Sequence, residues 1–252
     1  MDTPLIQFCN VSKTFDTKTV LNNINLSIFK GEITTIIGKS GEGKSVLLKH
    51  VIGLLKPDSG SILFDGKAFA KHSSTEQLNL KKKLSYMFQD SALFDSMTVY
   101  ENIALPLQEA SDLSKSEIQQ RVEMRMSQLD IVGTDQQYPG QLSGGMRKRV
   151  ALARALVTEP EIILFDEPTT GLDPIRKKAV HQMIADYQRK LGFTGIIVSH
   201  EIPEIFSISQ RVALLNKGDI IFQGTPEQLN NDENPVISTF IHGHESSLLN
   251  ID

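Results

Sequence analysis

The stretch GKSGEGKS, residues 38–45, concentrates more chemistry than any other part of this chain. Gly38, Gly43, Lys44 and Ser45 match G-x-x-x-x-G-K-[ST]. The β-branched run EITTIIG precedes the loop and the helical pattern KSVLLKHVIGLL follows it, which is the strand–loop–helix setting the motif requires. Glycines let backbone N–H groups converge on a β-phosphate. Lys44 adds a point charge toward the β- and γ-phosphates, and the Ser45 hydroxyl is placed to ligate Mg²⁺. The loop as a whole, Gly38, Lys39, Ser40, Gly41, Glu42, Gly43, Lys44, Ser45 and Val46, therefore reads as a cradle for nucleotide phosphates.

Such a loop needs a metal-binding carboxylate on a neighbouring strand. The run IILFDE supplies one: Ile162 to Phe165 are apolar and Asp166 stands at the strand's C-terminal end, where ligand sites of α/β sheets lie. Asp166 is expected to hold Mg²⁺ through water, and Glu167 to be the general base for an attacking water.

A second glycine loop, QLSGGMRKRVALARAL at residues 141–156, raises a different question. A serine hydroxyl, flexible backbone amides and a helix N-terminus are anion ligands, yet the chain already has one phosphate cradle. Taken alone, Ser143 as a helix cap with Gly144 and Gly145 serving only the turn is an equally good reading.

The elements that would position these residues can be read along the chain. LIQFCNVS and NINLSIF read as strands with the turn region KTFDTKTV between them, and SILFDG and KKLSYMFQ as further strands. From about Thr98 to Val132 the pattern is helical with a break at Pro106. After EIILFDE come a helix in DPIRKKAVHQMIADYQRKL, a strand in GIIVSH, a helix in EIPEIFSIS and a hairpin around Asn216-Lys217-Gly218. Thr225, Pro226 and the following Glu/Gln start a short helix. NPVISTFIHG forms another, with Val236, Ile237, Phe240 and Ile241 on one face packed on the rest of the chain or on a second copy. Lys81, Lys82 and Lys83 read as a solvated strand entry, Cys9 as a core or near-core strand residue, and Arg147, Lys148 and Arg149 as the exposed side of a helix. Strands alternating with helices imply an α/β fold with a mainly parallel sheet.

Bulk properties narrow the function classes. The chain has 252 residues with 40% hydrophobic and 22% charged content, the balance of a soluble globular protein. A formal charge of −4 disfavours a general nucleic-acid binder. A single cysteine excludes an internal disulfide and fits a cytoplasmic setting. No apolar run is long enough to cross a bilayer and no signal peptide is visible.

Together, the two glycine loops, the strand-end Asp-Glu pair and GLDP resemble the ATP-binding-cassette (ABC) ATPases over about residues 5–225, with LSGGM at 142–146 matching the family signature. The resemblance implies a P-loop NTPase fold: a RecA-like parallel-sheet core, an antiparallel β subdomain and an inserted α-helical signature subdomain. The core would be about 1–92 and 158–225, the helical part about 93–157 and a tail about 226–252. It also implies that two cassettes pair head to tail, so that Ser143, Gly144 and Gly145 of one contact the nucleotide held by the P-loop of the other. Phe15 would stack on adenine, where many members have Tyr. Gln89 would reach Mg²⁺ and the attacking water, Gly171, Leu172 and Asp173 would face the opposite cassette, and His200 would contact the γ-phosphate. The cofactors implied are ATP and Mg²⁺. A P-loop kinase or GTPase would leave LSGGM and GLDP unexplained.

Two classes of ABC ATPase compete. Soluble types acting on DNA carry a long coiled coil between P-loop and signature, where this chain has roughly a hundred residues. Ribosome-associated types usually carry two cassettes. A transporter motor fits better. SALFDSMTVYENIALPL, residues 91–107, lies where cassettes engage a membrane domain, and with LSGGMRKR and DEPTTGLDPI it is similar to the Mla/Mce subgroup, which moves phospholipid between inner and outer membranes. That similarity implies a second copy of this chain, a permease (MlaE-like), an MCE-domain lipid-binding protein (MlaD-like) and a STAS-type protein (MlaB-like) as partners, no nucleic acid, and a peripheral place on the cytoplasmic face of the inner membrane. Amino-acid importers and lipoprotein-release systems are the alternatives within transporters.

Overall fold

The computed structural model describes residues 3–88, 91–110 and 113–248. Two sheets carry it. The first is antiparallel, in the order β2-β1-β4-β5, built from β1 (Ile6–Phe15), β2 (Lys18–Ile28), β4 (Ser59–Phe64) and β5 (Lys67–Ala68). The second has the order β10-β9-β3-β8-β7-β6, with β3 (Ile33–Ile37), β6 (Leu84–Met87), β7 (Ile162–Asp166), β8 (Thr194–Ser199), β9 (Arg211–Asn216) and β10 (Asp219–Gly224). Every neighbour pair from β9 to β6 is parallel, and only β10 runs against its neighbour.

The parallel strands are buried on both faces, which is why they read as continuous apolar runs. Side-chain alternation divides them between two cores. Ile33, Ile37, Ile163 and Phe165 face one core. Ile36, Ile162 and Leu164 face the other, together with α1 (Lys44–Val51) and the inner side of the antiparallel sheet. Between β6 and β7 the chain forms α3 (Val99–Ala110), α4 (Lys115–Gln128) and α5 (Gly144–Leu156). Val99, Ile103, Leu107, Val122, Met126 and Val150 join these three helices in the first core.

Several local expectations need correction. KTFDTKTV is not a loop: β1 and β2 run into it and only Asp16-Thr17 turn, with Asp16 in the left-handed region at φ 51°. A helix not expected from the pattern, α2 (Ser74–Lys82), follows SSTE, which carries its capping box: Ser73 accepts from the Glu76 N–H and Glu76 accepts from the Ser73 N–H. Lys81 and Lys82 therefore close a helix rather than enter a strand. Pro106 lies inside α3 without ending it, because Ile103, Ala104 and Leu107 are almost wholly buried and packing outweighs the lost backbone bond. EIPEIFSIS gives a 3₁₀ turn, Glu204–Ile208, whose buried Ile205 and Ile208 follow its three-residue period. Arg147 is exposed as expected, but Lys148 is buried, 6% exposed, and Arg149 is half-buried and bonds the Leu129 carbonyl, so the basic run after the signature is only partly a solvated face.

The tail forms α7 (Pro226–Asn230), capped by Thr225 as its sequence predicts, and α8 (Pro235–Leu248). Ile237 and Ile241 bury against this chain's own core and Phe240 packs beside them, whereas Val236 is 49% exposed and belongs to another face. Ile237→Ala is expected to lower the unfolding free energy by about 2–5 kcal/mol. Val236→Ala should stay within about 0.5 kcal/mol of the parent. Chemical denaturation of the two variants checks the contrast, and equal midpoints would mean that α8 is not anchored through Ile237.

Candidate active site

The strand order gathers the site. β3 ends at Ile37 and runs into the glycine loop, β8 ends at Ser199 before His200, and β7 ends at Asp166 before Glu167. These strands are neighbours in the order β3-β8-β7, parallel and roughly 5 Å apart, so their C-terminal ends open on one crevice. β6 lies next and leads toward Gln89, which is outside the described residues.

The glycine loop is specified by its own chain. A Cβ on Gly38 would stand 2.4 Å from the Leu215 carbonyl oxygen, and one on Gly43 would stand 2.7 Å from Val20 Cγ1. Gly43 also sits at φ 103°, which no L side chain adopts comfortably. Lys44 opens α1, 4% exposed, and its Nζ donates to the Gly38 and Lys39 carbonyls at 2.8 and 2.9 Å. Burial pulls its ammonium below the ordinary lysine value, while Glu167, Glu42 and Asp166 pull the other way. The Lys39 N–H donates to Glu42 Oε2 at 3.2 Å.

Asp166 accepts from the Ser45 hydroxyl at 2.8 Å through one oxygen and from the Tyr86 phenol at 2.7 Å through the other. A hydroxyl beside a carboxylate is the hard-oxygen donor set that Mg²⁺ prefers, so Ser45 and Asp166 fit that ion. Tyr86, on β6, is the residue that sequence reading missed; nothing in KKLSYMFQ distinguishes it from an ordinary strand tyrosine. Burial, then the Asp166 carboxylate, pushes its phenol far above the ordinary range, so it stays a donor. Tyr86→Phe leaves Asp166 Oδ2 without that donor at a site only 8% exposed and should lower stability by about 1–3 kcal/mol. An unchanged melting temperature would count against this hydrogen bond.

Glu167 is held from both sides. Its Oε1 lies 3.1 Å from His200 Nδ1, and its Oε2 accepts from the Thr170 hydroxyl at 2.9 Å. Its backbone is in the left-handed region, φ 48°, while its N–H donates to the Val198 carbonyl. A non-glycine residue in that conformation costs roughly 1–2 kcal/mol, and such residues concentrate at functional sites. Phe15, where β1 turns into β2, is 40% exposed, with Lys13 Nζ 5.5 Å from its ring centroid. Val46, on α1, is partly buried against the second core.

The signature residues stand apart from this crevice. Ser143 caps α5, accepting from the Met146 N–H at 3.3 Å, and its carbonyl accepts from the Arg147 N–H. The nearest atom to a Cβ on Gly144 would be Leu172 Cδ2, at 3.8 Å, and a Cβ on Gly145 would meet nothing within 4 Å. Neither glycine has positive φ. Nothing in this chain's own backbone or packing demands glycine at 144 or 145, in contrast to 38 and 43. Leu172 joins the signature to the Gly171–Asp173 loop, where Gly171 has φ 80° and Asp173 caps α6 (Pro174–Leu191) by accepting from the Arg176 N–H at 3.0 Å.

Comparison with known proteins gives a consistent picture. A family model described as "ABC transporter" matches residues 21–170. "Probable ribonucleotide transport ATP-binding protein mkl" of Mycobacterium tuberculosis is 38% identical over 94% of this chain, which spans 66% of that relative's length. "Intermembrane phospholipid transport system ATP-binding protein MlaF" of Escherichia coli K12 is 36% identical over 95% of this chain and 89% of that protein. Its namesake in Haemophilus influenzae is also 36% identical, over 96% and 92%. Among solved structures, cbiO1 from Clostridium perfringens, part of the ABC transporter complex cbiONQ, superposes with a TM-score of 0.83 at 30% identity over 99% of this chain and 100% of its own. The ATP-binding cassette MJ0796, in a dimeric post-hydrolysis state bound to ADP and Pi, superposes with a TM-score of 0.78 at 30% identity over 88% and 98%.

Proposed function

This chain belongs to the ABC transporter family, and from that premise we propose that it is the ATP-hydrolysing subunit of a transporter that moves phospholipid between two membranes. The observation that carries the ATPase is the row of strand ends: phosphate cradle, His200 and Asp166-Glu167 side by side on one crevice. The backbone amides of the P-loop and Lys44 bind the β- and γ-phosphates. Lys44 exchanges its two loop carbonyls for phosphate oxygens on binding. Ser45 and Asp166 would hold Mg²⁺, joined by Gln89 from beyond β6; when bound, the ion neutralises charge on the transferring phosphoryl group. Glu167 takes the proton of the attacking water. His200, whose Nδ1 stands 3.1 Å from the other oxygen of that carboxylate, flanks it and reaches the γ-phosphate. Phe15 offers its exposed ring to the adenine.

The glycines at 144 and 145 support a site shared between two copies. With room above them in their own chain, Ser143 and the first amides of α5 are open to an anion presented by a second cassette. ATP then bridges the P-loop of one copy and the signature of the other, and hydrolysis removes the bridge. The transporter receives that two-state closure as work.

The phospholipid cargo rests on similarity to the MlaF proteins along nearly their whole length. No helix among the described residues is long and apolar enough to cross a membrane, so transport requires a permease partner. We place the chain on the cytoplasmic face of the inner membrane, with MlaE-, MlaD- and MlaB-like proteins as partners. The mycobacterial relatives favour a second reading, ribonucleotide transport. Affinity capture from mildly solubilised native membranes, with protein and lipid mass spectrometry, separates them. A permease with an MCE-domain protein and bound phospholipid supports the first reading. A permease with no phospholipid and a nucleotide-binding protein supports the second.

A further inference from the structure

A buried polar cluster lies behind the active site and takes no part in the roles above. Glu201 follows His200, and its side chain is 9% exposed. Its Oε1 accepts from Lys177 Nζ at 2.8 Å. Its Oε2 accepts from the Thr169 hydroxyl at 2.5 Å. The same Thr169 oxygen lies 3.5 Å from His181 Nε2. Thr169 is 1% exposed and His181 2%. Lys177 and His181 are one turn apart on α6 and so share a face. Burial holds the His181 imidazolium below its ordinary value, so the ring is neutral and can donate from Nε2 to Thr169, which donates onward to Glu201. Burial raises the Glu201 carboxyl, but the bonds from Lys177 and Thr169 outweigh it, and the net direction is down.

The placement is that of a brace. Two chain segments, Thr169-Thr170 and His200-Glu201, are tied twice. The inner tie is the hydrogen bond from Thr170 to Glu167 followed by the 3.1 Å contact between Glu167 Oε1 and His200 Nδ1. The outer tie runs from Thr169 to Glu201 and is clamped to α6 by Lys177 and His181. α6 begins at the Gly171–Asp173 loop, the segment beside the signature. A displacement of α6 therefore reaches the inner tie through the Lys177–Glu201 pair and the buried Thr169 hydroxyl, each one residue along the chain from His200 or Thr170.

We propose that Lys177 and His181 are positioning residues: through Glu201 and Thr169 they hold Glu167 and His200 in register, so that docking of a second cassette against the Gly171–Asp173 loop sets the hydrolytic geometry. The proposal rests on the reading of Glu167 and His200 given above. An ion pair with one partner 29% exposed adds little stability by itself, whereas removing the cation leaves a nearly buried carboxylate without a counter-charge, held only by the Thr169 hydroxyl. That carboxylate is free to draw Thr169 or His200 out of place.

The test uses the full-length chain in single-turnover assays with radiolabelled ATP and Mg²⁺, comparing the parent, Lys177→Met, His200→Ala and the double variant. Lys177→Met should slow hydrolysis about tenfold or more while ATP affinity stays within twofold, since a misplaced group costs rate rather than binding. On the His200→Ala background the same substitution should add no further loss. Adding Glu201→Gln to Lys177→Met removes the uncompensated charge, keeps an acceptor for Thr169, and should recover much of the rate. Unchanged hydrolysis in Lys177→Met overturns the proposal, as does an equal loss on both backgrounds or a lowered melting temperature as its only effect. A parent chain that does not hydrolyse ATP would instead remove the underlying active-site reading, so the two failures are distinct.

Discussion

Glu167→Gln is expected to bind ATP like the parent and to hydrolyse it about 10²–10⁴-fold more slowly, the usual worth of a positioned general base. The amide keeps the shape of the side chain, and its carbonyl oxygen can still accept the Thr170 hydroxyl or face His200. It cannot take a proton from water. Affinity should hold because the phosphates are gripped by loop amides and Lys44, which the substitution leaves in place. If ATP bridges two cassettes, loss of hydrolysis also traps the bridged state, so the variant should elute as a dimer with ATP and as a monomer without it. Phosphate release and light scattering check the two halves. Parent-like turnover would remove Glu167 from the base role.

Ser143→Arg should have a comparable effect by another route. Ser143 caps α5, and above the following glycines its own chain leaves open space. A guanidinium there would fill the region through which a second cassette presents its γ-phosphate, so ATP-driven association should fail and turnover should fall about 100-fold, the scale of losing transition-state ligands to an anion. Nucleotide binding to the monomer should be unchanged, because the P-loop is built by β3, α1 and contacts to Leu215 and Val20, none of which includes the signature. Loss of monomer binding would mean that Ser143 serves the nucleotide of its own chain.

Much of this architecture is legible in the residues. Parallel strands reveal themselves as short apolar runs ended by chemistry: EITTIIG, IILFDE and GIIVSH each stop where the crevice begins. Caps were equally readable at Thr225 and Ser143, where one hydroxyl and one N–H define the geometry. What escaped reading was decided by tertiary contact. Pro106 should break a helix by local rules, yet buried neighbours keep α3 intact through it. Lys148 looks like a surface charge within a basic run and is buried. Val236 sits beside Ile237 in the tail, and only the way α8 packs back on α7 and the first core decides which of them is covered. Tyr86 illustrates the limit best: its bond to Asp166 joins residues on two strands that become neighbours only through the sheet order.

The central claim is that each nucleotide site draws its P-loop from one copy and its signature from the other. Mixing two defective chains tests it most directly. Lys44→Ala and Ser143→Arg, each combined with Glu167→Gln, should each fail to form an ATP-dependent dimer alone. In a mixed dimer one site joins both defects, and the other joins the intact P-loop of the Ser143→Arg chain to the intact signature of the Lys44→Ala chain. The measurement is the amount of ATP trapped per dimer in the mixture. About one ATP per mixed dimer is the predicted result, since a single composite site is whole. No trapped ATP, with both parents of the mixture correctly folded, would contradict a shared site.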